Sequence, residues 1–461
     1  MNISFPDLSL VILMGASGSG KSTFARKHFL ETEILSSDFF RGLVSNDENS
    51  QSATKDAFEA LHYILEKRLA AGLLTVVDAT NVQKEARRPL IELAKKYHFF
   101  VAAIALNLPE SLCHERNQQR PDRQFGSHVV RNHTRSLKKS LKGLRREGIR
   151  YSYILNSLEE IGAARIERKP LWNNRKQDHG PFDIIGDVHG CCDEVEQLLK
   201  QLGYQQQAAT GSTDSFWHFP TYTHPEGRRA LFLGDLVDRG PRILDTLKLV
   251  HNMIGTGSAE CILGNHENKL MRWLDGRKIK VSYGIAQTIT EIENIEAPRQ
   301  EQDKQAIQSF LKSLISHYVL DEGKLVVAHA GLREELQGRG SAYVRDFALY
   351  GETTGETDEF GRRIRYNWVA DYRGKAMVVY GHTPVFSPEW LNNTIDVDTG
   401  CVYGGKLTAL RYPEKELVSV KALKVYREPA TPLTADSPDT RIGEIGCQSN
   451  AMSAQQVQDD V

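Results

Sequence analysis

A chain of 461 residues is long enough for two or three domains at ~150 residues each, and its 40% hydrophobic and 25% charged residues are those of a globular protein with full cores. Lys+Arg total 58 against Asp+Glu 59, a net charge of −1, which excludes a uniformly basic nucleic-acid coat; the composition also excludes a disordered chain, a collagen-like fibre and a small disulfide scaffold. No apolar run approaches the ~20 residues that span a bilayer, and Cys113, Cys191, Cys192, Cys261, Cys401 and Cys447 include no CxxC pair. A cytoplasmic protein with reduced thiols and no membrane contact is expected.

The first third alternates strand and helix. Ser9 to Met14 is an apolar strand ending at Gly15, and Lys21 to Phe29 is helical. A short strand at Glu33 to Leu35 ends at Ser36-Ser37-Asp38. Ala57, Leu61, Leu65 and Leu69 repeat with a helical period across Thr54 to Ala71. Leu73 to Val77 is a strand ending at Asp78, Lys84 to Lys96 a helix, and Phe99 to Leu106 another strand. Strands separated by helices imply a parallel sheet.

Gly15-Ala16-Ser17-Gly18-Ser19-Gly20-Lys21-Ser22 fits GxxxxGK[ST] between a strand and a helix. Such a loop aims backbone N–H groups at phosphate oxygens, with Lys21 on the β/γ-phosphates of ATP and Ser22 on Mg²⁺. Gly15, Gly18 and Gly20 allow the turn. Asp38 and Asp78 end strands and face the same crevice. Asp38 is the expected base for an acceptor hydroxyl, with Arg41 beside it for phosphate; Asp78 either holds the metal or caps the next helix. Arg116, Arg120 and Arg123 form a basic lid over the transferring phosphoryl group. Arg131, Arg135, Lys138, Lys139, Lys142, Arg145, Arg146 and Arg150 then accumulate opposite an apolar face of Val130, Leu137, Leu141 and Leu144, with only Glu147 opposing them. This stripe either tracks a phosphodiester backbone or is a solvated helix face.

Residues 1–168 are read as a P-loop kinase domain, 169–180 as a linker, 181–427 as a second α/β domain, and 428–461 as a disordered tail without aromatics. The second domain holds five motifs in order, each after a predicted strand: Gly186-Asp187-Val188-His189-Gly190, Gly234-Asp235-Leu236-Val237-Asp238-Arg239-Gly240, Gly264-Asn265-His266-Glu267, His329-Ala330-Gly331 and Gly381-His382-Thr383. Asp and neutral His are ligands for Mn²⁺, Ni²⁺, Fe or Zn²⁺. A two-metal site needs a bridging carboxylate, and Asp235 is the natural bridge. Asp187, His189 and Asp235 are assigned to one metal, and Asp235, Asn265, His329 and His382 to the other. Arg239 would clamp phosphate oxygens, and His266, oriented by Asp238, would protonate a leaving alcohol. Asp398 ends another strand and is equally a turn former. Ser282 to Tyr318 is a helical insert that caps the site. In Gly351 to Gly374, Arg362, Arg363, Arg365, Trp368 and Tyr372 suit a phosphorylated sugar with its base, or are surface residues without such a role.

With both constellations in view, the chain resembles the bacterial RNA-repair polynucleotide kinase-phosphatases from about Ser9 to Arg427. RxxxRxxR at Arg116 to Arg123, Lys142-Gly143-Leu144-Arg145-Arg146-Glu147-Gly148 and Phe182 to Gly190 carry the likeness. The resemblance implies an α/β architecture, a P-loop domain with a parallel sheet joined to a calcineurin-like metallophosphoesterase sandwich. It implies an ATP- and Mg²⁺-dependent 5′-OH polynucleotide kinase with Asp38 as base. It also implies a 2′,3′-phosphatase that opens cyclic phosphates, using two Mn²⁺ or Ni²⁺ ions. RNA ends, and DNA as a further candidate, are the expected partners. No KxDG nucleotidyl-transfer motif occurs, so an RNA ligase in trans is expected, and an RNA 3′-terminal methyltransferase is a partner of relatives. Leu263 stands where phosphatase-like relatives often carry Arg, so one phosphate contact is either missing or supplied elsewhere, with Arg333 as the candidate. The alternative reading is a dinucleoside tetraphosphate hydrolase fused to a small-metabolite P-loop kinase.

Overall fold

The computed structural model describes residues 1–119, 126–209, 214–296, 299–357 and 363–429. Arg120, Arg123, Arg362 and Cys447 therefore lie outside the described residues. The chain is mixed α/β, as the alternation of strands and helices predicts.

In the N-terminal half, five parallel strands run in the order Ile34–Ser36, Thr75–Asp78, Ser9–Gly15, Phe100–Leu106, Tyr151–Leu155. Ser9–Gly15 is buried along its whole length, which explains its unbroken apolar run. The helix Thr54–Ala70 covers one face with Ala57, Leu61, Leu65 and Leu69, all fully buried. Register pairs Leu13 and Ser36 with Asp78, so the P-loop, Asp38 and Asp78 emerge together at the carboxyl edge of the sheet.

The C-terminal half stacks two sheets. One runs Ala259–Cys261, Arg229–Phe232, Phe182–Ile185, Lys406–Tyr412, Glu416–Lys421; the other runs Trp390–Leu391, Thr394–Asp396, Met377–Tyr380, Leu325–Ala328, His317–Leu320, Asn174–Arg175. Phe182, Ile184 and Leu231 from the first meet Leu325, Val327, Met377 and Val379 from the second in one buried cluster. The sheets therefore share a core, and alternate residues such as Ile185 and Phe232 face outward onto helices Cys192–Leu202 and Ile243–Gly255.

The segment read as a linker is structured. Arg165–Lys169 pairs in parallel with Asn2–Pro6, Asn174–Arg175 joins the second sheet beside His317–Leu320, and Leu171 and Asn173 are buried. Its polar letters hide this because both are edge strands. A side chain crosses between the halves: Arg339 donates to Leu69 O (3.1 Å), Ala70 O (3.0 Å) and Tyr97 O (3.1 Å), over the Phe99 ring. Those carbonyls end two helices, where a cation is favoured. His98 stacks on Tyr343 beside it.

Among the described residues no helix is long and apolar enough to cross a membrane. Cys113, Cys191, Cys192, Cys261 and Cys401 are buried and free.

Candidate functional site: a phosphate cradle and a carboxylate–imidazole cluster

Gly18 (φ +82°) and Gly20 (φ +91°) turn the loop between Ser9–Gly15 and the helix Lys21–His28. A Cβ on Gly18 would lie 2.2 Å from Cys113 O, so that position admits only glycine. Lys21 is buried and donates to Gly15 O (3.0 Å) and Ala16 O (2.9 Å). A cavity of about 470 Å³ is lined by Gly18, Gly20, Lys21, Ser22, Asp38, Arg41 and Asp78, with Phe58 and His133 on its far walls.

Three expectations acquire geometry here. Arg41 is ion-paired with Asp38 and donates to Glu48 O (2.9 Å), so it holds the carboxylate rather than standing open for phosphate. Asp78 does not cap the following helix, whose N-cap is Gln83. Arg116 sits over the loop, 3.6 Å from the Cβ position of Gly20, on the helix Glu110–Gln118. That helix ends before Arg120, which with Arg123 falls outside the described residues. Asn117, which sequence reasoning missed, accepts from Ser17 Oγ at 3.2 Å.

Farther along, Val130, Leu137 and Leu144 are buried as predicted, while Arg135, Lys138, Lys139, Lys142, Arg145 and Arg146 are exposed. Glu147 does not oppose them; it turns inward to a buried Arg87, with bonds of 2.7 and 3.0 Å. Among the described residues, Arg131 is the one member of the stripe that pairs with an acid, Glu110, at 3.1 Å.

In the C-terminal half the five motifs and Asp398 converge, each beyond the carboxyl end of a strand from one sheet or the other. His189, Asp235 and His266 offer ligand atoms within 4.8 Å of one another, and so do Asp235, His329 and His382. Asp235 is common to both sets. Asp187 accepts from His382 N (3.2 Å) and lies 3.9 Å from His329 Nδ1. Asp398 acts as a turn former, its Oδ1 accepting from Gly400 N (3.0 Å), and its charge acts on Asp187. Asn265 Oδ1 lies 2.8 Å from His329 Nε2 and 3.0 Å from His382 Nδ1.

Buried groups fix these ligands. His189 Nδ1 donates to Val237 O (2.9 Å) and His329 Nδ1 to Leu233 O (2.9 Å), which leaves each Nε2 lone pair facing the cluster. Glu267, quoted in a motif but given no role from the sequence, is fully buried. It accepts from Asp235 N (2.8 Å), Leu236 N (2.7 Å), Val237 N (3.2 Å) and Gly264 N (3.0 Å), locking the loop that carries Asp235. Thr288 was also missed. Its hydroxyl donates to Asp238 Oδ1 and accepts from Asp238 N (3.1 Å), while Asp238 Oδ2 holds His266 Nδ1 at 2.5 Å. Thr288 arrives on the helix Tyr283–Glu293, so the helical insert does lean on the site. The other insert is corrected: Trp368 and Tyr372 are buried in a core with Phe347 and Val378 and face no substrate. The side chains of Arg363 and Arg365 are not described. Arg333 pairs with Glu352 and lies over Phe347.

His189, Asp235, Asp238, Arg239 and His382 all have positive φ, between 46° and 78°. Non-glycine residues in that region cost energy and cluster where surrounding structure enforces them. Burial and the neighbouring Asp398 and Asp235 push the Asp187 carboxyl up; burial and Glu267 do the same to Asp235. Burial, with Arg239 and His266 nearby, pushes His189 down. Crowded carboxylates beside neutral imidazoles are the donor set for divalent cations, which relieve the repulsion. The Asn265 amide lies against the Asp235 carboxylate (3.2 and 3.3 Å) and the two imidazoles, and so belongs to the same donor set. The residues therefore fit a pair of divalent metals.

A family model described as an AAA domain matches residues 10–144, and one described as calcineurin-like phosphoesterase matches residues 180–386. The bis(5'-nucleosyl)-tetraphosphatase PrpE (asymmetrical) of Anoxybacillus flavithermus is 42% identical over 245 residues, 53% of this chain and 96% of that protein. The chain belongs to the calcineurin-like phosphoesterase family. The protein of the same description from Bacillus subtilis is 41% identical over 247 residues, 54% of this chain and 97% of the relative. Among solved structures, a serine/threonine phosphatase from Saccharomyces cerevisiae aligns at 15% identity with a TM-score of 0.37, covering 54% of this chain and 81% of that one. The phosphoesterase half is thus joined in this chain to a P-loop, kinase-like half.

Proposed function

We propose that the chain heals RNA ends with two separate centres, an ATP-dependent 5′-hydroxyl kinase in residues 1–168 and a metal-dependent 2′,3′-phosphatase in residues 181–427. The observation that carries the reading is the pairing, in one chain, of a phosphate cradle faced by two carboxylates with a carboxylate–imidazole cluster built around Asp235. A kinase and a phosphatase oppose each other on one substrate, but act in concert on the two ends of a break.

In the first centre, Lys21 leaves the carbonyls of Gly15 and Ala16 for the phosphates of ATP, and Ser22 holds Mg²⁺. Asp38 accepts the proton of the 5′-hydroxyl while Arg41 keeps its carboxylate in place, and Asp78 supports the metal or its waters. Arg116, with Arg120 and Arg123, neutralises the transferring group. The exposed bases from Arg135 to Arg146 follow the phosphodiester backbone.

In the second centre, Asp187, His189 and Asp235 hold one Mn²⁺ or Ni²⁺, and Asp235, Asn265, His329 and His382 the other, with Asp398 beside Asp187. Such cations supply Lewis acidity toward phosphoryl oxygens. Arg239 now donates to His189 Nε2 (2.5 Å) and His266 Nε2 (2.9 Å), the edges that face the cluster. To free His189 for ligation it turns outward, where its guanidinium grips the phosphoryl oxygens. His266, positioned through Asp238 and Thr288, carries the proton to the leaving oxygen.

A second reading has one observation in its favour: the relatives matched over half of the chain are described as bis(5'-nucleosyl)-tetraphosphatases. One experiment separates the two. The protein is given a tRNA nicked to leave 5′-OH and 2′,3′-cyclic phosphate ends, and in parallel diadenosine tetraphosphate, with ATP and Mn²⁺. Conversion of both RNA termini at rates matching or exceeding dinucleotide cleavage upholds end healing; cleavage of the dinucleotide with untouched RNA termini replaces it with the second reading.

A further inference from the structure

Beneath the Asp235 cluster lies a separate group that takes no part in the proposed reaction. Cys191, two residues past His189, and Cys401, three past Asp398, bring their sulfurs within 4.8 Å of each other and of one carboxylate oxygen of Glu194. Both cysteines and Glu194 are at most 1% exposed. Cys192, the vicinal neighbour, points away toward Glu196 Oε1 at 3.7 Å.

Glu194 is informative. Its Oε1 accepts from Leu423 N (2.9 Å) and Tyr426 Oη (2.8 Å), which fastens the segment after the strand Glu416–Lys421 onto helix Cys192–Leu202. Its Oε2 is buried and has no hydrogen-bond partner among the described residues. A carboxylate oxygen left so in a protein interior is unfavourable, and two thiols, weak donors at best, answer it poorly. A cation answers it fully.

We propose that Cys191, Cys401 and Glu194 hold a structural Zn²⁺ ion, distinct from the cluster around Asp235. Two soft sulfur ligands select against Mg²⁺, Ca²⁺ and Mn²⁺, and the added carboxylate suits Zn²⁺. Binding releases the thiol protons, so three negative ligand groups meet the dication. The ion would join three segments: the loop carrying His189, the first turn of its helix, and the turn Cys401–Tyr403 that follows Asp398. Through Glu194 it would also anchor Leu423 and Tyr426. The role is to hold two loops of the phosphoesterase centre in register from below.

Co²⁺ tests this in the full-length protein, because sulfur-to-cobalt charge transfer in the near ultraviolet reports thiolate ligation alone, and the Asp235 cluster offers only nitrogen and oxygen. Protein stripped with a chelator and kept reduced is titrated with Co²⁺, then chased with Zn²⁺. The expected result is a charge-transfer band whose final amplitude corresponds to one thiolate-bound Co²⁺ per chain and which is lost on addition of Zn²⁺. It persists in Cys192→Ser and in Asp235→Asn, and is absent from Cys191→Ser and Cys401→Ser. The wild-type band is decisive even if a cysteine variant does not fold. No band from reduced wild-type protein overturns the proposal. So does recovery of Cys191 and Cys401 as a disulfide after purification without reductant, or a band that survives in both serine variants.

Discussion

Replacing Glu267 by glutamine probes how the phosphoesterase centre is held. The carboxylate serves four backbone N–H groups, two on each oxygen. Glutamine keeps one oxygen and turns an NH₂ group onto two donors, so two charge-assisted bonds are lost in either orientation, at roughly 1.5–3 kcal/mol each. The variant also removes a buried charge whose desolvation pushes the Glu267 carboxyl up to about 7, which returns part of that loss. The net is a destabilisation of about 1–3 kcal/mol, a fall in Tm of roughly 2–10 °C for a domain of this size. The released loop carries Asp235, so Mn²⁺ affinity should fall about 10- to 100-fold, as for other losses behind a metal ligand. Differential scanning calorimetry and calorimetric titration with Mn²⁺ read the two effects. A variant with wild-type Tm and wild-type affinity refutes the reasoning.

Arg339→Met removes a donor from three helix-end carbonyls, of which Leu69 O keeps its bond from Gly72 N. It should cost about 2–4 kcal/mol and expose the 69–71 and 97–98 segments to limited proteolysis; an unchanged digestion pattern and Tm would show that the contact does not tie the halves together. The Glu33 carboxyl is raised by burial but lowered further by Arg168, which bonds it twice at 2.7 Å, so its net shift is downward. A lowered carboxyl stabilises the fold above its unfolded pKa and loses that contribution as pH falls through its folded value. Arg168→Gln should therefore be less stable than wild type by about 1–2 kcal/mol at pH 7, with the gap closing in acid; a gap constant from pH 7 to 3 contradicts this.

The candidate site motifs were legible because each one follows a strand. The motifs at Asp187, Asp235, Asn265, His329 and His382 punctuate apolar runs that the sheets bury, and the helix Lys84–Lys96 has the predicted bounds. What escaped was whatever depends on a partner distant in sequence. Thr288 reaches Asp238 from 50 residues away, and nothing in its neighbourhood marks it. Glu147 looked like a counter-charge on the basic face until Arg87, 60 residues earlier, turned it inward. Arg41 and Asp38 are three apart on one helix, a spacing that favours the pair they form, yet each was given a role alone. Trp368 and Tyr372 sat among arginines and suggested a nucleotide pocket; burial against Phe347 shows that aromatics beside charge also arise where a core meets a surface loop. The strands within 165–175 are short, polar edges, the kind that composition cannot separate from a loop.

The central claim is that two independent phosphoryl centres share the chain. It is tested most directly by assaying Lys21→Ala and Asp235→Asn side by side for phosphate transfer from ATP to a 5′-OH oligoribonucleotide and for phosphate release from its 2′,3′-phosphorylated end. The account predicts that Lys21→Ala loses the first activity and keeps the second, and that Asp235→Asn does the reverse. Loss of both activities in either folded variant, or of neither, would contradict it.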